Sequence, residues 1–136
     1  MPKLDRNVLA KPGLDRTLGL EYLAASPTEV SARLLVDERH LQPFGYLHGG
    51  VSVALAESVA SVGASLAAPE GHVAFGQEIN ANHLRPVKPG AVLFFRARPF
   101  HIGQRSQVWG IEIEDQKGRL ICVSRCTLAV VAADRT

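Results

Sequence analysis

Between Arg39 and Glu70 the chain carries one charged side chain, Glu57, in the middle of a run, 51–67, whose residues are small or aliphatic on nearly every face. Gly49 and Gly50 precede the run, and Pro69 with Gly71 closes it with the usual helix-stop chemistry, so it reads as a single helix. A helix without a polar face has to be surrounded by protein. At 136 residues the chain has room for one domain, so the rest of that domain must do the surrounding. A chain of this length buries about two-thirds of its unfolded surface and needs no disulfide or metal staple. The stretch 49–68 also has the length of a membrane span, but Glu57, the serines and the many alanines stand where a span would carry Leu, Ile and Phe. It is expected to be a buried helix, with no membrane partner.

What surrounds it is predicted to be a sheet. Two apolar runs, 17–25 and 28–36, flank Ser26-Pro27 and read as a hairpin. The loop LQPFGYLHGG follows, in which Pro43, Gly45, Gly49 and Gly50 forbid regular structure. After the helix the period changes to two, over 73–84, 91–102, 106–114 and 119–131, with short turns between that suit antiparallel neighbours. In 106–114, Gln107, Trp109, Ile111 and Ile113 share one face, Val108 and Gly110 the other. The expected class is α+β, an antiparallel sheet of about six strands curled around one long central helix, because neither element can otherwise bury its apolar surface. Residues 1–136 form one domain, with 1–14 as an N-terminal extension.

Several function classes fall away on composition. Fifteen Lys and Arg against thirteen Asp and Glu, with 46% hydrophobic residues, describe an ordinary globular protein without the charge of a nucleic-acid binder. The first twenty residues hold charges every few positions and no apolar run of signal length, so the expected compartment is the cytoplasm. Cys122 and Cys126 share a strand, roughly 13 Å apart, and cannot pair. Five histidines without paired ligand spacing give no metal site. Gly50-Val51-Ser52-Val53-Ala54 approaches a nucleophile elbow but lacks its last glycine and follows no strand, so Ser52 reads as packing.

Two features point to chemistry. Burying the Glu57 carboxylate among Val, Ala and Leu costs several kcal/mol unless something compensates it. It is either a structural Glu paired with an arginine across an interface or a catalytic carboxylate made more basic by its apolar surroundings. The helix start His48-Gly49-Gly50 brings backbone N–H groups and the positive end of the helix dipole together, with glycines that allow a ligand oxygen to come close. It reads either as an oxyanion site or as a plain glycine-rich helix entry. Gly49 and Glu57 are eight residues apart on one helix, roughly 12 Å along its axis. If both serve one reacting carbon they must come from two chains, which implies a dimer.

The stretches QPFGYLHGGVSVALAESVASVGA, GQEINANHLRP and HIGQRSQVWGIEIEDQKGRLICVSRCTLAVV resemble the hotdog-fold acyl-CoA thioesterases over residues 15–131. Within these the chain is most similar to the bacterial hydroxybenzoyl-CoA and dihydroxynaphthoyl-CoA hydrolase branch, of phenylacetate type. The resemblance implies a sheet-wrapped helix, dimers and usually tetramers with sites at the subunit interface, an acyl-CoA as substrate and no cofactor. It implies Glu57 as nucleophile or general base, the Gly49 N–H on the thioester carbonyl, and Gln42 and His48 aligning thioester and water. Ser61 would help place carboxylate or water, with plain packing as its alternative. His83, Arg85, Gly103 and Arg105 would hold the pantetheine and nucleotide end of coenzyme A, arginine matching phosphate through its planar fork; surface charge is the alternative for the two arginines. The acyl pocket would form where Phe44, Tyr46, Val59, Val62 and Leu66 meet across the interface. The small side chains around Glu57, including Ser58, leave space that an aromatic acyl group would fill. The competing functions are a non-catalytic acyl-CoA-binding module and a hotdog enoyl-thioester hydratase, which resembles its relatives in pairing an Asp with a His on a motif not seen here.

Overall fold

The computed structural model describes residues 6–135. Two short helices, α1 (Arg6–Leu9) and α2 (Leu14–Leu18), lead into strands β1 (Glu21–Ala25) and β2 (Val30–Leu35). A 3-10 turn and the glycine-rich loop then lead to α3 (Gly49–Ala67), and four strands follow, β3 (His72–His83), β4 (Val92–Ile102), β5 (Ser106–Asp115) and β6 (Leu120–Ala132). The six strands form one antiparallel sheet in the order β1-β2-β4-β5-β6-β3. α3 packs against β2 through β6, the hotdog arrangement.

The period-two runs fold as strands because alternate residues meet the helix. Gln107, Trp109, Ile111 and Ile113 are buried, as are Phe95, Leu93, Cys122, Cys126 and Leu128 on the neighbouring strands. From α3, Leu55, Ala56, Val59, Ala60 and Ala64 complete that core. Gly63 lets the Trp109 ring lie against the helix, since a Cβ there would stand 2.5 Å from two ring carbons. By length and composition α3 could cross a membrane, but much of it is buried against the sheet.

Two expectations change. The first strand is shorter than 17–25, because residues 14–18 form α2. Gly19, at φ +82, ends that helix with its N–H donated to the Arg16 carbonyl (3.1 Å) and the Leu20 N–H to that of Asp15 (2.9 Å). This pairing satisfies the last carbonyls of a helix and needs a left-handed residue. Residues 1–5 of the expected extension 1–14 lie outside the described residues, and its remainder carries α1 and the start of α2. The helix is also not enclosed all round: Val51, Val53, Ala54, Glu57, Ser58 and Ser61 are only half-buried. Of these, Glu57 lies against Gly76 of β3, an edge strand that pairs with β6 on one side.

Candidate active site

The loop before α3 is built to deliver its first turn. The Gln42 N–H donates to the Tyr46 carbonyl (2.8 Å), the Gln42 side-chain oxygen accepts the Phe44 N–H, and Gly45 turns the chain at φ +86. Leu47 and His48 are then pinned by backbone bonds to Val87 and His40, each 2.8 Å. His48 caps the helix: its Nδ1 accepts the Gly50 N–H at 2.8 Å and its carbonyl accepts that of Val51. An acceptor at Nδ1 leaves the ring proton on Nε2. With these N–H groups engaged, the Gly49 N–H is the donor of the first turn that no acceptor among the described residues takes.

Gly49 opens into a cavity of about 380 Å³ that it shares with Gln42, Ser52, His83 and Arg85. His83 closes in from the end of β3, where a Cβ on Gly49 would stand 2.8 Å from the ring Nε2. Five residues singled out from the sequence, Tyr46 being the fifth, thus converge here. Ser52, three residues after Gly49 and on the same helical face, also borders this cavity; it is buried, as its reading as packing expects.

Glu57 stands two turns further along. It is half-buried in the single chain, a correction to the expectation of a buried carboxylate, and lies against Gly76 of the edge strand β3. Among the described residues no ion-pair partner reaches it. Beneath it lies Cys126, whose thiol is pushed up to about 12 by burial, with the charges of Glu57 and Glu78 adding to the effect. Cys126 therefore stays protonated at neutral pH and offers no competing thiolate. Ser61 is half-buried one turn after Glu57, the Ser58 hydroxyl donates to the Ala54 carbonyl (3.2 Å), and Val62 packs in the core.

Gly103 and Arg105 are elsewhere. They sit in the β4–β5 turn, where the Gly103 N–H donates to the Ser106 carbonyl (2.9 Å). Arg105 is exposed on an open groove of about 800 Å³ with His72, Phe75 and Gln104, at the end of the sheet opposite Arg85. One chain therefore presents the expected residues in three places: the α3 N-terminus, the middle of α3 and the β4–β5 turn. No three His, Cys, Asp or Glu side chains among the described residues form a metal-binding group.

Comparisons with known proteins bear on the fold and the family. The thioesterase superfamily matches residues 44–122. The chain is 48% identical over 118 residues to a 1,4-dihydroxy-2-naphthoyl-CoA hydrolase from Listeria monocytogenes, covering 87% of this chain and 95% of the relative. It is 44% identical over 114 residues to a proofreading thioesterase from Klebsiella pneumoniae, covering 84% and 82%. Among solved structures, a thioesterase from Haemophilus influenzae superposes with a TM-score of 0.87 at 46% identity, covering 93% of this chain and 88% of the other.

Proposed function

The chain belongs to the thioesterase superfamily, and from that premise we propose that it hydrolyses aromatic acyl-CoA thioesters to the free acid and coenzyme A, with Glu57 as nucleophile or general base. The observation that carries the reading is the cavity at the start of α3, where Gly49, Gln42, His83 and Arg85 converge. There the Gly49 N–H polarises the thioester carbonyl, aided by the helix dipole, and the developing oxyanion finds a donor already in place. Gln42 and His48 align the thioester and water. Glu57 either attacks the carbonyl carbon, forming a mixed anhydride that water then cleaves to the free acid, or takes the proton of a water that attacks directly; in both routes the carbon–sulfur bond breaks and the departing thiolate of coenzyme A takes up a proton released from that water. Ser61 and Ser58 line the approach beside the carboxylate, and Val62 backs the acyl pocket. His83 and Arg85 of one chain, with Gly103 and Arg105 of a second, hold the coenzyme A end, because within one chain the two pairs lie at opposite ends of the sheet.

The active form in this reading is a homodimer, assembled further into a tetramer, without cofactor, in the cytoplasm. About 12 Å of helix separates Gly49 from Glu57, so the two meet at one carbon only when a second chain supplies one of them. The unpaired side of the twelve-residue β3, with Phe75 52% exposed, is the surface that a second copy would cover. The preference for aromatic acyl groups rests on the small side chains around Glu57 and on the relative named for a dihydroxynaphthoyl thioester.

A panel of benzoyl-, hydroxybenzoyl- and acetyl-CoA, assayed for released thiol with wild type and Glu57→Gln, tests the reading. The aromatic thioesters should give the higher kcat/KM, and Glu57→Gln should lower kcat by about 10² to 10⁴ while the thermal transition stays in place. Wild-type turnover in Glu57→Gln would remove Glu57 from the mechanism, and acetyl-CoA matching benzoyl-CoA would remove the aromatic preference.

A further inference from the structure

β3 breaks its ladder with β6 at one point: Gly76 faces Leu128 and Glu78 faces Thr127, so Gln77 is an extra residue in a β-bulge. The Glu57 side chain lies on the strand at that point. A Cβ on Gly76 would stand 2.9 Å from Glu57 Cδ, 3.2 Å from Cγ and closer still to Oε1. Any residue but glycine would therefore force the carboxylate out of its present position. The backbone does not itself call for glycine here. Gly19, Gly45, Gly71, Gly90 and Gly118 lie in the left-handed region, and Gly76 does not, so an L residue could adopt its φ without strain. What needs the space is the Glu57 side chain.

We infer that Gly76 is a positioning residue, the bare backbone of the β3 bulge serving as the seat that holds the Glu57 carboxylate at the helix rim. The inference rests on the reading of Glu57 as the reacting carboxylate. Glu57 is half-buried with no ion-pair partner among the described residues, so no arginine or lysine there fixes its rotamer. Shape fixes it instead: the α3 backbone sets one side and the Gly76 backbone the other. A displacement of about 1 Å from a productive attack geometry is enough to cost on the order of 10²-fold in rate.

The test is Gly76→Ala, measured for kcat, KM and thermal stability, alone and combined with Glu57→Asp. Kcat should fall by about 10²-fold with KM for the acyl-CoA within about twofold, because the substrate-holding groups lie elsewhere. The thermal transition should hold or rise, since alanine replaces glycine at a compatible backbone position. Glu57→Asp withdraws the carboxylate from the strand, so the same Ala should cost less in that background than in wild type. Wild-type kcat in Gly76→Ala overturns the inference. So does a loss that comes with a lower thermal transition, or one that is as large in the Glu57→Asp background as in wild type. Failure of the underlying reading appears separately, as retained activity in Glu57→Gln.

Discussion

Trp109 and Gln107 are wholly buried on β5, and each polar atom between them is spoken for: the indole N–H donates to the Gln107 side-chain oxygen at 2.8 Å, and the Gln107 amide donates to the Ala64 carbonyl inside α3 at 3.0 Å. That carbonyl already accepts the Ala68 N–H, so the amide takes its second lone pair. The pair sets the rotation and height of α3 over the sheet, seven residues beyond Glu57. Gln107→Leu would leave the indole N–H buried and unsatisfied, and should lower unfolding free energy by about 1–3 kcal/mol in urea titrations. Adding Trp109→Phe removes the orphaned donor, so the double variant should lose less than the two single losses summed. Strict additivity would mean that the hydrogen bond contributes nothing. His40 shows a related economy of polar atoms: fully buried, its Nδ1 accepts the Asp37 N–H (3.0 Å), leaving Nε2 to donate to the Leu18 carbonyl (2.6 Å). It ties α2 to the loop before α3, its own carbonyl accepting the His48 N–H.

At the scale of elements, the β5–β6 turn hangs on one carboxylate. Asp115 is 6% exposed; Oδ1 accepts the N–H groups of Lys117 and Arg119, both 2.9 Å, and Oδ2 accepts Arg119 Nε at 2.7 Å. Burial alone would raise its pKa, but the Arg119 backbone and guanidinium and the Lys117 N–H outweigh that and hold it below its ordinary value. A carboxyl depressed in the folded state adds stability above its unfolded pKa, and that share is lost as pH falls through the folded one. The wild-type thermal transition should therefore drop relative to Asp115→Asn as pH is lowered from about 5 to 2; parallel acid limbs would show that the charge is immaterial. The turn itself was readable, as were α3 and the four strands after it, because breakers and a change of period mark their ends. α2 was not: residues 14–18 are too few for a helical period to show, and the Gly19 stop is a matter of backbone angle. The seat at Gly76 was hidden for another reason. A glycine in an alternating run looks like a weak strand position, and its neighbour Glu57 is nineteen residues away in sequence but adjacent across the helix–strand interface. Likewise the lone charge in an apolar run pointed to Glu57, while its half-exposure and its place against the edge strand β3 belong to the assembled sheet, which the order of strands in the chain does not state.

For the molecule as a whole, the separation of Gly49 from Glu57 has a consequence that mixing subunits can read. If each site takes its oxyanion donor from one chain and its carboxylate from the other, a symmetric dimer holds two such crossed sites. Glu57→Ala spoils the carboxylate of a chain and spares its Gly49. Gly49→Pro does the reverse: proline suits the first position of a helix but removes the N–H, and its ring carbons press into His83, so both effects fall on the same half-site. Either variant alone should be nearly inactive. A dimer with one chain of each kind has one site with both defects and one with neither. Because random pairing makes half the dimers mixed, an equimolar co-refolded mixture should regain about a quarter of wild-type activity. Mixing after folding, without exchange of subunits, should regain almost nothing, which separates restored sites from residual turnover. A co-refolded mixture no more active than its components, despite mixed dimers on tagged purification, would mean that one chain brings both groups to the thioester, and the 12 Å of helix between them would have to be bridged by the substrate instead.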